Sequence, residues 1–207
     1  MNDRAASTEE RLAKLESSTA ADPGRWIANP APLGLFAFGF TTLMLNLVNA
    51  GIVEKPTTSL VLAYGLAFGG LCQLIAGGWE FKKGNTFGAT AFTAYGAFWV
   101  GFALWHILAD NGVMSPSADF KDGFAAILAA WGLFTGLMFV ATLRINRALQ
   151  AVFLTLTILF ILLAIGVYNS DVHKIAGYEG LVCAASAIYA GWAQVVNEVW
   201  GKRLLPL

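Results

Sequence analysis

Apolar residues in this chain fall into six long blocks, near 33–51, 59–78, 86–108, 124–143, 149–167 and 176–195, separated by short polar or turn-forming segments. Each block spans about twenty residues, the length an α-helix needs to cross a hydrocarbon core of about 30 Å. The pattern predicts an all-α integral membrane protein with six transmembrane helices in one bundle. An even number of crossings puts both chain ends on one side. Residues 29–207 show no internal linker and form one domain, whereas residues 1–28 read as a polar, charged arm outside it. Within the arm, residues 7–15 have the signature of a short helix capped by Ser7 or Thr8, and the arm lacks the pattern of a cleavable signal peptide.

Composition supports this reading. The chain has 57% hydrophobic and 13% charged residues, too apolar for a soluble domain of 207 residues. Charge then orients it. Arg4, Arg11, Lys14, Arg25, Lys82, Lys83, Arg144, Arg147, Lys202 and Arg203 fall in the arm, the even loops and the tail, and only Lys55, Lys121 and Lys174 in the odd loops. This asymmetry predicts cytoplasmic termini. The net charge of zero gives no argument for nucleic acid, so the bilayer is the expected environment.

The chemistry available inside the membrane is narrow. Asp, Glu, Lys and Arg are absent from the middle of every block, so a carboxylate relay at the midplane is not expected. Cys72 and Cys183 lie in apolar runs without metal-like spacing, and no cofactor is predicted. His106 and His173 fall toward the extracellular side and read as packing or hydrogen-bonding residues. In the first helix Phe38, Thr42, Asn46 and Asn49 recur at four, four and three residues and share one face. Such a stripe serves either as interhelical glue or as the lining of a wet path. Thr86, Thr90 and Thr93, with Tyr95 two residues on, form a weaker stripe in the third helix, because threonine hydroxyls often bond their own backbone. Gln73 and Glu80 share a face of the second helix, where Glu80 is expected to pair with Asn85 or with Lys82 and Lys83. Gln194, Asn197 and Glu198 give the sixth helix a polar end. Gly65 with Gly69, and Gly132 with Gly136, predict close helix contacts and association between subunits.

Two motifs stand out. Asn29-Pro30-Ala31-Pro32-Leu33-Gly34-Leu35 marks the start of the first helix: proline suits a first turn, and Asn29 is placed to cap it. The helix N-terminus so presented favours an anion. A second block, QLIAGGWEFKKGNTFGATAFTAYGAFW over residues 73–99, joins the second helix to the third. An aquaporin would need two Asn-Pro-Ala triplets on half-helices meeting at the midplane, and this chain has one, before the first helix. Intramembrane hydrolysis is disfavoured by the lack of a Gly-x-Ser-x-Gly surround at Ser186 and of a His-Glu-x-x-His. A non-transporting scaffold or sensor is the remaining alternative to transport.

The two motifs together, with Leu133-Phe134-Thr135, Leu156-Thr157 and Ala185-Ser186-Ala187-Ile188-Tyr189, resemble the acetate uptake transporter family of the succinate-acetate permease type. The resemblance runs from Asn29 to Pro206. It implies a cell-membrane protein, plasma or inner, made of six-helix subunits commonly assembled as hexamers. Each subunit would carry its own path for acetate and, in some members, succinate or related acids, by proton-linked carriage or as a channel. It implies a hydrophobic constriction at Phe38, Tyr95 and Leu156, although Leu154 and Leu159 would satisfy a looser alignment at the third position. Asn29, Thr42, Asn46, Asn49 and Thr93 would supply polar contacts along the path, and Ala187 a small wall residue bordering it.

Overall fold

The computed structural model describes residues 27–207 except 117 and 118, and within the preceding arm only Arg11; the short helix expected over residues 7–15 otherwise lies outside the described residues. Among the described residues, six helices are long and apolar enough to cross a membrane: α1 Ala31–Asn49, α2 Thr58–Lys83, α3 Thr86–Asp110, α4 Phe120–Thr142, α5 Arg147–Gly166 and α6 Ser170–Val199. The six expected blocks each lie in one of these helices, differing from them mainly at the ends. Termini are set by polar groups that take no part in the hydropathy pattern. α6 starts six residues before its apolar block because Asn169 accepts from the amides of Asp171 and Val172.

α1 and α6 pack most closely. A side chain at Gly177 would run into the backbone of Asn49 and Ala50, and one at Gly180 into the amide of Asn46. α6 then packs on α5, α5 on α4, and α2 on α1 and α3. α2 is interrupted by a π-helical stretch, Gly65–Cys72, between two α-helical segments. Here Gly69 sits against Thr41 and Trp99, and Gly70 against Val100. π turns are rare and concentrate where a helix must re-aim its side chains.

The glycine pairs correct an expectation. Gly65 and Gly69 receive Trp99 and Thr41, and Gly132 and Gly136 face Phe160, Ile161 and Thr157 of α5. These small residues are consumed by packing within the subunit and so provide no argument for contact between subunits.

The core between the helices is aromatic. Tyr95 lies 5.7 Å from the ring of Phe38, 5.7 Å from Trp131, 5.6 Å from Phe134 and 6.1 Å from Phe153, centre to centre. Rings at such distances attract beyond their area of contact and hold one another at fixed tilts.

Candidate functional site

Because successive helices run in opposite directions, α1, α3 and α5 all begin at the same end of the bundle. Each start carries an asparagine whose side chain accepts from a first-turn amide. Asn85 binds the Gly88 amide at 3.1 Å, Asn146 the Leu149 amide at 2.8 Å, and Asn29 the Ala31 amide at 3.3 Å. The cap at α1 differs in detail from the expected one. Pro30 takes the backbone position of the cap and Asn29 reaches past it, while the Asn29 amide nitrogen donates to Gln194 and its oxygen accepts from Lys83. Asn29 thus ties α1 to the ends of α2 and α6.

These three asparagines line a cavity of 410 Å³ together with Gln73, Gln194, Asn197 and an apolar wall that includes Leu35, Phe92 and Phe153. Gln73 is 1% exposed, and its carbonyl oxygen has no hydrogen-bond partner among the described residues. Asn197 also anchors the tail, accepting from the amides of Leu204 and Leu205, so that Leu207 reaches the cavity mouth. Glu80 behaves as expected: Asn85 donates to it at 2.8 Å across the turn at Gly84, whose φ of +76° suits glycine.

A second cavity, of 450 Å³, occupies the opposite end. Thr42, Asn46 and Asn49 line it, with His106, His173, Lys121 and an aromatic wall of Phe98, Trp99, Phe102 and Phe160. Here the stripe on α1 both packs between helices and borders a cavity. Asn46 fits against Gly180 of α6 and donates to the Thr42 carbonyl, and it also faces the cavity; Asn49 donates to Asn46.

The two cavities share three lining residues, Phe38, Tyr95 and Leu156. They are 6%, 3% and 2% exposed. Leu159 lines only the second cavity, and Leu154 is exposed and lines neither. The Tyr95 hydroxyl lies 2.9 Å from that of Thr135. Thr135 spends its own hydrogen on the Trp131 carbonyl, so Tyr95 donates and Thr135 accepts. Tyr95 is therefore fixed by four rings and one directed hydrogen bond.

Two residues expected on the path are placed elsewhere. Thr93 lines neither cavity: Gly77 of α2 has no side chain, and Thr93 packs into the space left. Ala187 is fully buried in the core cluster with Phe38, Tyr95 and Leu156 and also lines neither cavity. Conversely, Asn146, His106, His173 and Lys121 line the cavities without having been singled out for it. Asn146, just before the apolar run of α5, was legible as a cap; for the others no sequence spacing gave a signal.

A family model described as the GPR1/FUN34/yaaH family matches residues 12–200. The chain belongs to that family. Among GPR1/FUN34/yaaH relatives it is similar to the succinate-acetate/proton symporter SatP of Escherichia coli K12, 46% identical over 184 residues that cover 87% of this chain and 95% of the relative. It is also similar to acetate permease A of Emericella nidulans, 38% identical over 201 residues that cover 88% of this chain and 66% of the permease. The solved structure of the bacterial acetate channel SatP matches with a TM-score of 0.82 and 45% identity, covering 87% of this chain and 99% of that one. These GPR1/FUN34/yaaH relatives are transporters and a channel, not enzymes, and the present chain is likewise a multi-pass membrane protein of transport type.

Proposed function

We propose that this protein carries acetate, and with it other small carboxylates such as succinate, across the cell membrane through its two cavities, with Phe38, Tyr95 and Leu156 forming the constriction between them. The observation that carries this reading is that two polar-ended cavities approaching from opposite ends meet at one apolar ring. The named relatives supply the substrate class, as a succinate-acetate/proton symporter and an acetate permease.

The chemistry follows from the walls. In the first cavity a carboxylate meets amides from Asn29, Asn85 and Asn146, near three helix N-termini whose partial positive charge favours an anion. In the second it meets Thr42, Asn46 and Asn49. At Phe38, Tyr95 and Leu156 hydration is stripped with only the Tyr95 hydroxyl nearby, and that hydroxyl is engaged by Thr135. An anion crosses such a ring at high cost unless it carries a proton or the ring opens and wets. Uptake of labelled acetate by proteoliposomes at equal internal and external pH, with voltage stepped by a potassium ionophore, separates the two. Flux that follows voltage means the anion crosses alone; flux indifferent to voltage means passage with a proton; no flux above empty liposomes overturns the proposal.

The proposal includes cytoplasmic termini, supported by the ten-to-three distribution of Lys and Arg. It also includes a homo-oligomer, a hexamer on the family resemblance. Native mass spectrometry in mild detergent is expected to show the oligomer, and monomer alone would count against it. Asn29→Ala removes the contacts to Ala31, Gln194 and Lys83 together. Loss of such a cap costs about 1 kcal/mol, and we expect a clear fall in acetate flux without loss of assembly. Unchanged flux would remove Asn29 from the path.

A further inference from the structure

Outside the second cavity lies an open depression of 710 Å³ bounded by Lys55, Lys121, Lys174 and Glu54. It shares Asn49, Lys121, Gly166, Val167 and His173 with the cavity. The neck between them is therefore ringed by an ammonium, an imidazole and an amide, in contrast to the apolar ring deeper in. The basic groups come from three separate places, the α1–α2 loop, the first turn of α4 and the second turn of α6, so their convergence is a product of the fold.

Among the described residues that bound the depression, lysines outnumber acids. Glu54 is the one acid among the residues bounding the depression, against three lysines. Asp122 accepts from the Tyr168 hydroxyl at 2.6 Å, and neither Asp122 nor Asp171, on the first turn of α6, lines either space. Further in, His106 has Nδ1 at 2.9 Å from the Phe102 carbonyl. A carbonyl only accepts, so Nδ1 carries the hydrogen and Nε2 is the other polar atom of the ring. Lys121 itself is exposed.

We propose that Lys121 and His173, with Asn49, form an anion subsite at this neck that takes the carboxylate group of a small organic acid before it reaches Phe38. The subsite rests on the transport reading and deepens it. Charged mouths with low-dielectric walls raise the local concentration of an oppositely charged substrate, an effect that salt weakens. Lys121 acts here as a docking residue, ahead of the constriction and separate from it.

The test measures acetate uptake in proteoliposomes of single orientation with this neck outward, at low and high ionic strength. Lys121→Gln is expected to raise KM by about tenfold with kcat unchanged, Lys121→Glu to raise it further, and Lys121→Arg to restore it. Added salt should raise KM of the wild-type protein by a larger factor than that of Lys121→Gln, which keeps Lys55 and Lys174 at the mouth. Saturation-transfer NMR of acetate on the detergent-solubilised protein gives a readout independent of transport, in which Lys121→Glu should weaken the signal while the first cavity still contributes to it. Equal KM values in all four proteins, or a binding signal indifferent to residue 121, overturns the subsite. A charge-dependent binding signal without any wild-type flux keeps the subsite and overturns the transport reading instead.

Discussion

Phe38→Ala is expected to raise the flux of succinate relative to acetate by about tenfold or more, since relieving an apolar pocket by a few carbons shifts discrimination by about 10- to 200-fold. Phe38 is the α1 member of the three-residue ring that divides the 410 Å³ and 450 Å³ cavities, so its loss would merge them. The surroundings resist collapse into the gap. Tyr95 is pinned by Trp131, Phe134, Phe153 and the hydrogen bond to Thr135, and Leu156 is fully packed on α5. Truncation of a core phenylalanine costs about 3–5 kcal/mol in water-soluble proteins, and in a bilayer the loss is of packing rather than of water expulsion. The measurement is uptake of labelled acetate and succinate into the same proteoliposomes. An unaltered ratio would mean that the narrow point lies elsewhere. Tyr95→Ala is a poorer test, because it removes the hub of the aromatic cluster along with the ring.

Gly177→Val is expected to destroy most of the folded protein. The new side chain would press on the backbone of Asn49 and Ala50, which cannot rotate aside as a side chain would. α1 and α6 must then separate, and overpacking of this kind costs about 3 kcal/mol or more. The damage reaches the path, since Asn46 fits against Gly180 less than one turn further along α6. The checks are the monodisperse fraction by size-exclusion chromatography and the melting temperature, with Gly101→Ala as control. An added Cβ at Gly101 meets nothing, and alanine favours the helix over glycine. A Gly177→Val protein that melts with the wild type would show the α1–α6 contact to be looser than described.

Much of this architecture was legible because membrane crossing imposes a length, and six apolar blocks of that length leave little choice of fold. Phe38, Tyr95 and Leu156 could be named only through the family resemblance; no spacing links residues on three different helices. Periodicity within a helix assigned a face but not what the face meets. Thr93 shares a stripe with Thr86 and Thr90, yet its surroundings were decided by Gly77 on another helix. The small-xxx-small patterns of α2 and α4 correctly marked close approach, and the partner proved to be the same chain. Lys55, Lys121 and Lys174 served only as evidence of sidedness, because loops far apart in sequence give no sign of sharing a mouth.

The wall of the first cavity has a consequence for speed. Its polar lining consists of amides, from Asn29, Gln73, Asn85, Asn146, Gln194 and Asn197, and no charged side chain joins them among the described residues. A carboxylate bound there would have no ion pair to break on departure, and we expect it to be held briefly and released readily. On the transport reading, a wall of this kind would trade affinity for throughput.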